Sequence, residues 1–486
     1  MRRGHIRPPA VLNKVCSVTG IFVGIAAFFL MVTVASADIK RGVRAYNARD
    51  YRAAFKEFSP EAEAGVAFAQ YNLGVLYAKG QGVARDYQTA VTWYRKAAEQ
   101  GNTLAQYNLG VLYANGEGVG RDYEESAVWY RRAAEKGYAL AQFNLGLQFT
   151  NGQGVEQSDE EAANWYRRAA EQGLAPAQFN LGYLYSSGRG VSQDHGKAAM
   201  WSRKAAEQGL PAAQYNLGFM YEMGQGLTLN FARSAEWYRR AAEEGYPPAQ
   251  RNLGNLYAAG HGVERNYALA MDWYQKAAEG DDVRAMLNVS TLYLNGIGVA
   301  RDTSAARKWL RRAAEGGDPD ALFNLGLFYE IGLGIEPDLT RAVYWYHRAA
   351  ESGSAAAQHS LGVIHYYGKG APRNRETALE WFKVAAAQEY ALAENAMGMF
   401  YANGLGVSRN DTEAVEWYRR AAEKDHPLAQ NSLGFQYGQG RGVARNPSVA
   451  ANWYRKAAAQ GIPSAQYNLG VLYSTGDGVT RNRETA

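Results

Sequence analysis

All eleven tryptophans of the chain, from Trp93 to Trp453, fall 36 residues apart, with no insertion between any two. A fixed period of roughly 20 to 50 residues means one supersecondary unit copied and stacked, each copy too small to bury its own apolar face. The pattern is legible in residues 67–102, AFAQYNLGVLYAKGQGVARDYQTAVTWYRKAAEQGN. Leu73-Gly74 returns as Leu109-Gly110, Gly80-x-Gly82 as Gly116-x-Gly118, Trp93 as Trp129, and Ala97-Ala98 as Ala133-Ala134. A one-dimensional array has no closed core, so 486 residues need not divide into several globular domains.

Ala69, Leu73, Leu76 and Tyr77 share one stripe of a first helix, and Ala90, Trp93, Tyr94 and Ala97 share one stripe of a second. The spacing predicts two antiparallel helices with these stripes facing. Gly80 supplies a left-handed residue to end the first helix, and Gly82 lets the turn close. Position 86 is Asp, Ser or Asn in every copy, from Asp86 to Asn482, so each second helix begins with a side chain able to accept an orphan N–H. Arg95-Lys96 and their counterparts place positive charge in its last turn, where the helix dipole favours it. Ala69, Ala90, Ala97 and Ala98 let backbones approach while Trp93 and Tyr94 fill the space, and the indole is expected to be shared between successive pairs.

The arrangement A-x-x-x-L-G-x-x-Y, G-x-G-V, A-x-x-W-Y-x-x-A-A resembles the Sel-one-like repeat (SLR) family, relatives of tetratricopeptide repeats with a longer inter-helix turn. The resemblance implies an all-α, right-handed α-solenoid of antiparallel helix pairs, and a role as an adaptor for other proteins. Eleven full units span 67–462 and an incomplete twelfth spans 463–486. The sequence stops one turn into that unit's second helix, and a truncation is expected there. Residues 38–66 carry a shorter version of the pattern and read as an N-terminal capping hairpin, with Asp50 as helix cap and Phe55 or Phe58 in the tryptophan's role.

Residues 1–37 combine a positive head (Arg2, Arg3, Arg7, Lys14), an apolar run from Ile21 to Val34, and Ala35-Ser36-Ala37 before Asp38. They read as a cleaved secretory signal, with an uncleaved anchor as the rival, since Val15 to Ala37 carries no charge. Either way the repeats are expected outside the cytoplasm, with membrane contact only through this segment; together with the resemblance, this implies the bacterial periplasm or secretion. The net charge of +5 is largely this head, and the near-balanced remainder gives no footprint for nucleic acid. Cys16 is the only cysteine, so no disulfide is expected.

Nothing in the chain assembles a catalytic or cofactor motif. The G-x-G turns lack the third glycine and the Lys-Ser/Thr of a phosphate loop, and turn geometry accounts for them. His359 and His365 are six apart, about 120° around a helix, which is not one face. No H-E-x-x-H, C-x-x-C or G-x-S-x-G is present. No metal, cofactor or enzymatic activity is expected.

The copies differ from one another at positions 71, 75, 78 and 79 of the first helix, the row that the resemblance places along a concave groove. Position 72 is mostly asparagine. An amide both donates and accepts, so it could clamp a peptide backbone, or it could bond a neighbouring loop. Tyr71, Tyr107, Phe143, Phe179, Tyr215, Phe323 and Tyr467 form an aromatic ladder that could meet sugar rings or pack between units. The pattern varies most between about 250 and 370, where Met286, Leu322 and Ser290 replace the usual glutamine and glycine. The candidate partner-binding residues are Asn252, Asn288, Asn324, Arg251, Leu287, Phe323, Asn255, Thr291, Leu327, Ile331, Tyr366 and Tyr367. The expected function is a scaffold binding a protein or extended peptide. Alternatives are an envelope glycan, a hydrolase like some cysteine-rich SLR proteins, and an ER-lumenal adaptor bearing glycans at the Asn288 and Asn410 sequons.

Overall fold

The computed structural model describes residues 37–482 and Glu484. Among them are 25 helices and no strand, with helices adjacent in the chain packed together as antiparallel pairs. The chain separates into two compact bodies, one ending at Glu244 and one starting at Gly245. Each is a stack of helix pairs, and the fold is an α-solenoid. Residues 1–36 of the expected signal segment lie outside the described residues. No described helix is long and apolar enough to cross a membrane.

The repeating pair is Ala67–Lys79 followed by Tyr87–Glu99. Gly80 ends the first helix with φ of 65°, and Asp86 caps the second by accepting from the backbone N–H groups of Gln88 and Thr89. Asp, Ser or Asn does the same for every later second helix through Asn446. Gly82 does more than close a turn. At φ of 76° it presses on the preceding pair, where a Cβ would lie 2.4 Å from the Tyr51 carbonyl oxygen. This glycine is therefore a joint between neighbours, which its local spacing alone did not reveal.

The deepest large side chain is the tyrosine beside the tryptophan. Tyr94, Tyr166, Tyr238 and Tyr346 are fully buried. Each packs against a first-helix glycine; a Cβ on Gly74 would sit 2.7 Å from the Tyr94 ring. The hairpin Ala37–Asn47 and Tyr51–Glu63 repeats this contact with Gly42 and Phe58. Phe58 thus fills the tyrosine's place, and Glu57 stands where the tryptophan would be. The expectation that Phe55 or Phe58 replaces the indole is corrected, because the glycine selects the ring that faces it.

The indole is shared between successive pairs as expected. Trp129 joins the cluster built on Tyr71, Ala90 and Tyr94 of the preceding pair, and Trp93 packs against the cluster that Ala54 and Phe58 of the first hairpin form with Ala69, Leu73 and Leu76. Except at Trp381, which has Val384, its outer face is covered by the basic residue three positions on. The Lys96 ammonium sits 4.3 Å from the Trp93 ring centre, the Arg132 guanidinium 4.4 Å from that of Trp129, and Lys456 4.4 Å from that of Trp453. Each such contact contributes about 0.5–1 kcal/mol at a half-exposed site.

A polar rung also links neighbours. The Gln142 amide donates to the Ala134 carbonyl at the end of the preceding second helix (3.0 Å), and Gln172 donates to Gln142 (2.8 Å). Where the first-helix glutamine is lost, its partner position differs too. Glu394 and Lys424 replace the glutamine pair and meet at 2.7 Å. Met286 and Leu322 are buried, and the rung positions opposite them are Gly316 and Ser352, so no polar partner is orphaned. Ser290 replaces the glycine in the repeat whose tyrosine is Leu310, and its hydroxyl donates to the Ala306 carbonyl (2.9 Å). These three substitutions are interior repacking and do not individualise a groove.

Candidate interaction face

The candidate residues all fall in the carboxy-terminal body, on first helices that include Pro247–Ala259, Val283–Asn295, Pro319–Ile331 and Ala355–Tyr367. The structure divides them into frame and face. Position 71 belongs to the frame. Phe323 packs on Tyr346 with ring centres 5.5 Å apart, as Tyr71 packs on Tyr94 at 5.9 Å. Leu287 lies against the largest core cluster. Arg251 is held by Asp282 at 3.1 Å, the two side chains only 17% and 9% exposed. Five rings of the ladder, Tyr71, Tyr107, Phe143, Tyr215 and Phe323, therefore pack inside their pairs against the second-helix tyrosine, whereas Phe179 belongs to the pair with Ser202 in the tyrosine's place and Tyr467 is 73% exposed.

His359 occupies the same row, 5.5 Å from the Phe382 ring and 5.7 Å from Tyr390. Burial, with His426 adding a smaller effect, pushes its pKa down to about 4. The fold favours the neutral imidazole. Its contribution to stability is complete above the ordinary value near 6.5 and is lost as pH falls through about 4. The melting temperature is expected to drop across that window, and to drop less in His359→Phe.

The asparagine row is mostly bonded within the chain. Asn72 donates to the Phe68 carbonyl (2.8 Å), Asn216 to the Ser202 hydroxyl (3.0 Å), and Asn288 to Asn255 on the preceding first helix (3.4 Å). The Asn252 carbonyl accepts from Arg251 (3.3 Å). Asn324 is exposed. Beside this row lies the open face: Asn255 and Thr291 are exposed, as are Ile331 at 55% and Tyr367 at 63%. Leu327 and Tyr366 are half-buried, Tyr366 standing edge-on to Tyr367 at 4.8 Å.

Sequence reasoning missed that the buried tyrosines reach this face with their hydroxyls. Tyr274 donates to Asn255 (2.8 Å), and Tyr346 donates to the Glu330 carboxylate. The packed tyrosine thus fixes the side chains at positions 75 and 78. The signal was the co-occurrence of a glycine at 74 with a tyrosine at 94. The Asn288 sequon lies inside a helix, with Ser290 buried. Among the described residues no group of three or more His, Cys, Asp or Glu is placed to hold a metal.

Helix pairs locked by recurring contacts, with variation gathered on one open side, define a tandem helical-repeat scaffold. The chain belongs to the Sel1 repeat family, whose model matches twelve consecutive stretches from 67–102 to 463–486. It is similar to the solved structure of c5321, a protective antigen of uropathogenic Escherichia coli strains with an SLR fold. That likeness has 36% identity and a TM-score of 0.64, over 87% of this chain and 90% of that one. A Sel1 repeat protein from Oxalobacter formigenes is 34% identical with a TM-score of 0.54, over 64% of this chain and 89% of that one. No curated protein matches the sequence.

Proposed function

We propose that the chain is a non-enzymatic scaffold of the bacterial envelope that binds a protein segment along the first-helix face of its carboxy-terminal body. One observation carries this. Tyrosine, glycine, glutamine and tryptophan contacts recur through the stack, while Asn255, Thr291, Asn324, Ile331 and Tyr367 are exposed, adjacent on successive first helices and chemically unlike one another. Surface variation on a rigid frame is how helical repeats distinguish partners. The envelope location rests on the charged head, apolar run and A-x-A site before Asp38, and the likeness to an antigen of a bacterial pathogen supports it. A glycan partner has less support, because five of the seven ladder rings are spent on internal packing.

Replacing Asn324 by Ala, Ile331 by Ser and Tyr367 by Ser together is expected to weaken partner binding at least about tenfold, or 1.4 kcal/mol. Surface changes of this kind shift stability by less than about 0.5 kcal/mol each. Co-purification from the periplasmic fraction with wild-type and variant chains, alongside their melting curves, checks this. Unchanged binding at unchanged stability counts against the assigned face.

A further inference from the structure

One polar contact recurs at the joints between successive helix pairs. The residue equivalent to Arg95, on a second helix, meets the ring equivalent to Tyr113, on the next first helix. The Arg95 guanidinium donates to the Tyr113 hydroxyl, Arg203 to Tyr221 (3.1 Å), Gln275 to Tyr293 (3.3 Å), Arg419 to Tyr437 (3.3 Å) and Arg455 to Tyr473 (3.3 Å). From Arg95 to Arg455 the first member is Arg, Lys or Gln and the second is Tyr or Phe, with one exception. Between the pairs 319–351 and 355–387 both members are histidine, His347 and His365. Both are half-buried. His347 and Trp381 stand edge to face with ring centres 5.6 Å apart, and the His365 Nδ1 lies 3.3 Å from the Pro372 carbonyl oxygen. A carbonyl can only accept, so Nδ1 carries the proton there, and Nε2 of the neutral ring is left as an acceptor.

We propose that this joint is acid-sensitive: protonation of His347 and His365 sets like charges together where the other joints set a cation or amide against a neutral ring, and the two pairs part locally. Two neutral imidazoles can share a hydrogen bond, but two imidazolium rings have no acceptor between them. Burial is the main cause that lowers the His347 pKa from the ordinary 6.5; His365 lowers it further, and Glu351, one turn along the same helix, opposes. The fold therefore favours neutral His347. Its contribution to stability is complete above 6.5 and is lost as pH falls through the lowered value. The flanking second helices hold Arg311, bonded to Glu315, and Lys383 at the position of His347. Glu330, on the first helix of the same pair, is engaged by the Tyr346 hydroxyl. Lys197 and Arg341 lie over Tyr185 and Tyr329, the counterparts of His365, but the residue in that place opposite His365 is Thr377. Lys369 and Arg373 follow His365 in the turn. These surroundings are mostly cationic, so a second positive charge at the joint is poorly compensated. Ile331 and Tyr367 stand on opposite sides of the joint, so its opening would divide the face proposed for a partner; that consequence alone rests on the scaffold reading.

Hydrogen exchange read by mass spectrometry on the full chain, with no partner added, tests the joint. Protection, corrected for the intrinsic exchange rate, is compared at about pH 7.5 and about pH 4.5, a range across which imidazole gains its charge. In wild type, Leu339–Glu351 and Ala355–Tyr367 should lose protection at least about tenfold more than Thr103–Asn115 and Tyr123–Glu135 do. His347→Arg with His365→Tyr recreates the contact of Arg419 with Tyr437 and should abolish that difference. His365→Phe, which copies Phe149 opposite Arg131, should reduce it and serves as the readout if the double variant does not fold. His359→Phe should leave it intact. No extra loss in wild type, the wild-type loss persisting in the double variant or in His365→Phe, or its disappearance in His359→Phe would overturn the inference. None of these outcomes bears on whether a partner binds, so the joint and the scaffold reading fail separately.

Discussion

Tyr166→Ala is expected to lower stability by about 3–5 kcal/mol, as other large aromatic truncations in cores do. The ring is 1% exposed, it lies on Gly146, and its hydroxyl is 2.9 Å from the Thr150 hydroxyl. Gly146→Ser should cost about 1–3 kcal/mol by overpacking, since a Cβ there would sit 2.7 Å from the ring. The chain itself supplies the remedy. Ser290 with Leu310 is the same pair of positions in another repeat. Gly146→Ser combined with Tyr166→Leu should therefore cost less than the sum of the single changes, by about 0.5–3 kcal/mol. Denaturant melts of the four proteins in the cycle measure this; strict additivity would mean the glycine and tyrosine are not one joint.

Lys424→Gln should be nearly as damaging, at about 3 kcal/mol, because it leaves the Glu394 carboxylate, 2% exposed, without its cation. Adding Glu394→Gln should restore most of the loss by recreating the glutamine rung that Gln142 and Gln172 form at 2.8 Å. In a stack where each pair touches only its neighbours, such a break need not unfold the whole chain at once. A second, earlier transition in the Lys424→Gln melt, absent from the double variant, is the expected signature. Loss of stability that the double change does not recover would argue that the ion pair is not a substitute for the rung.

The sequence showed the helix pairs, their caps and the shared indole plainly, because these depend on spacing within one copy or on comparing copies in register. The tryptophan's recurrence drew attention away from the tyrosine next to it, which the structure shows to be the deeper contact. Only the close approach of Gly74 to the Tyr94 ring explains that preference, and a helical wheel contains no such distance. The candidate face was half legible. Asn255, Thr291, Asn324, Ile331 and Tyr367 lie open as expected, whereas Arg251, Leu287 and Phe323 were assigned to a groove and belong to the interior or its margin. Position 71 lies at the edge of the apolar stripe, where periodicity alone does not separate core from surface. Its burial depends on the second-helix ring it touches, and for Arg251 on an aspartate 31 residues away. The apparent irregularity near residue 290 became orderly once both members of each contact were read together.

Ile331 and Tyr344 are equally exposed, at 55%, but Ile331 is on the proposed face and Tyr344 is on a second helix. A photo-crosslinking amino acid installed at each position in turn, in cells that express the chain natively, compares the two surfaces directly. The scaffold account predicts a discrete polypeptide adduct from position 331 and little or none from 344. Equal labelling at both positions, or adducts from 344 alone, would contradict it.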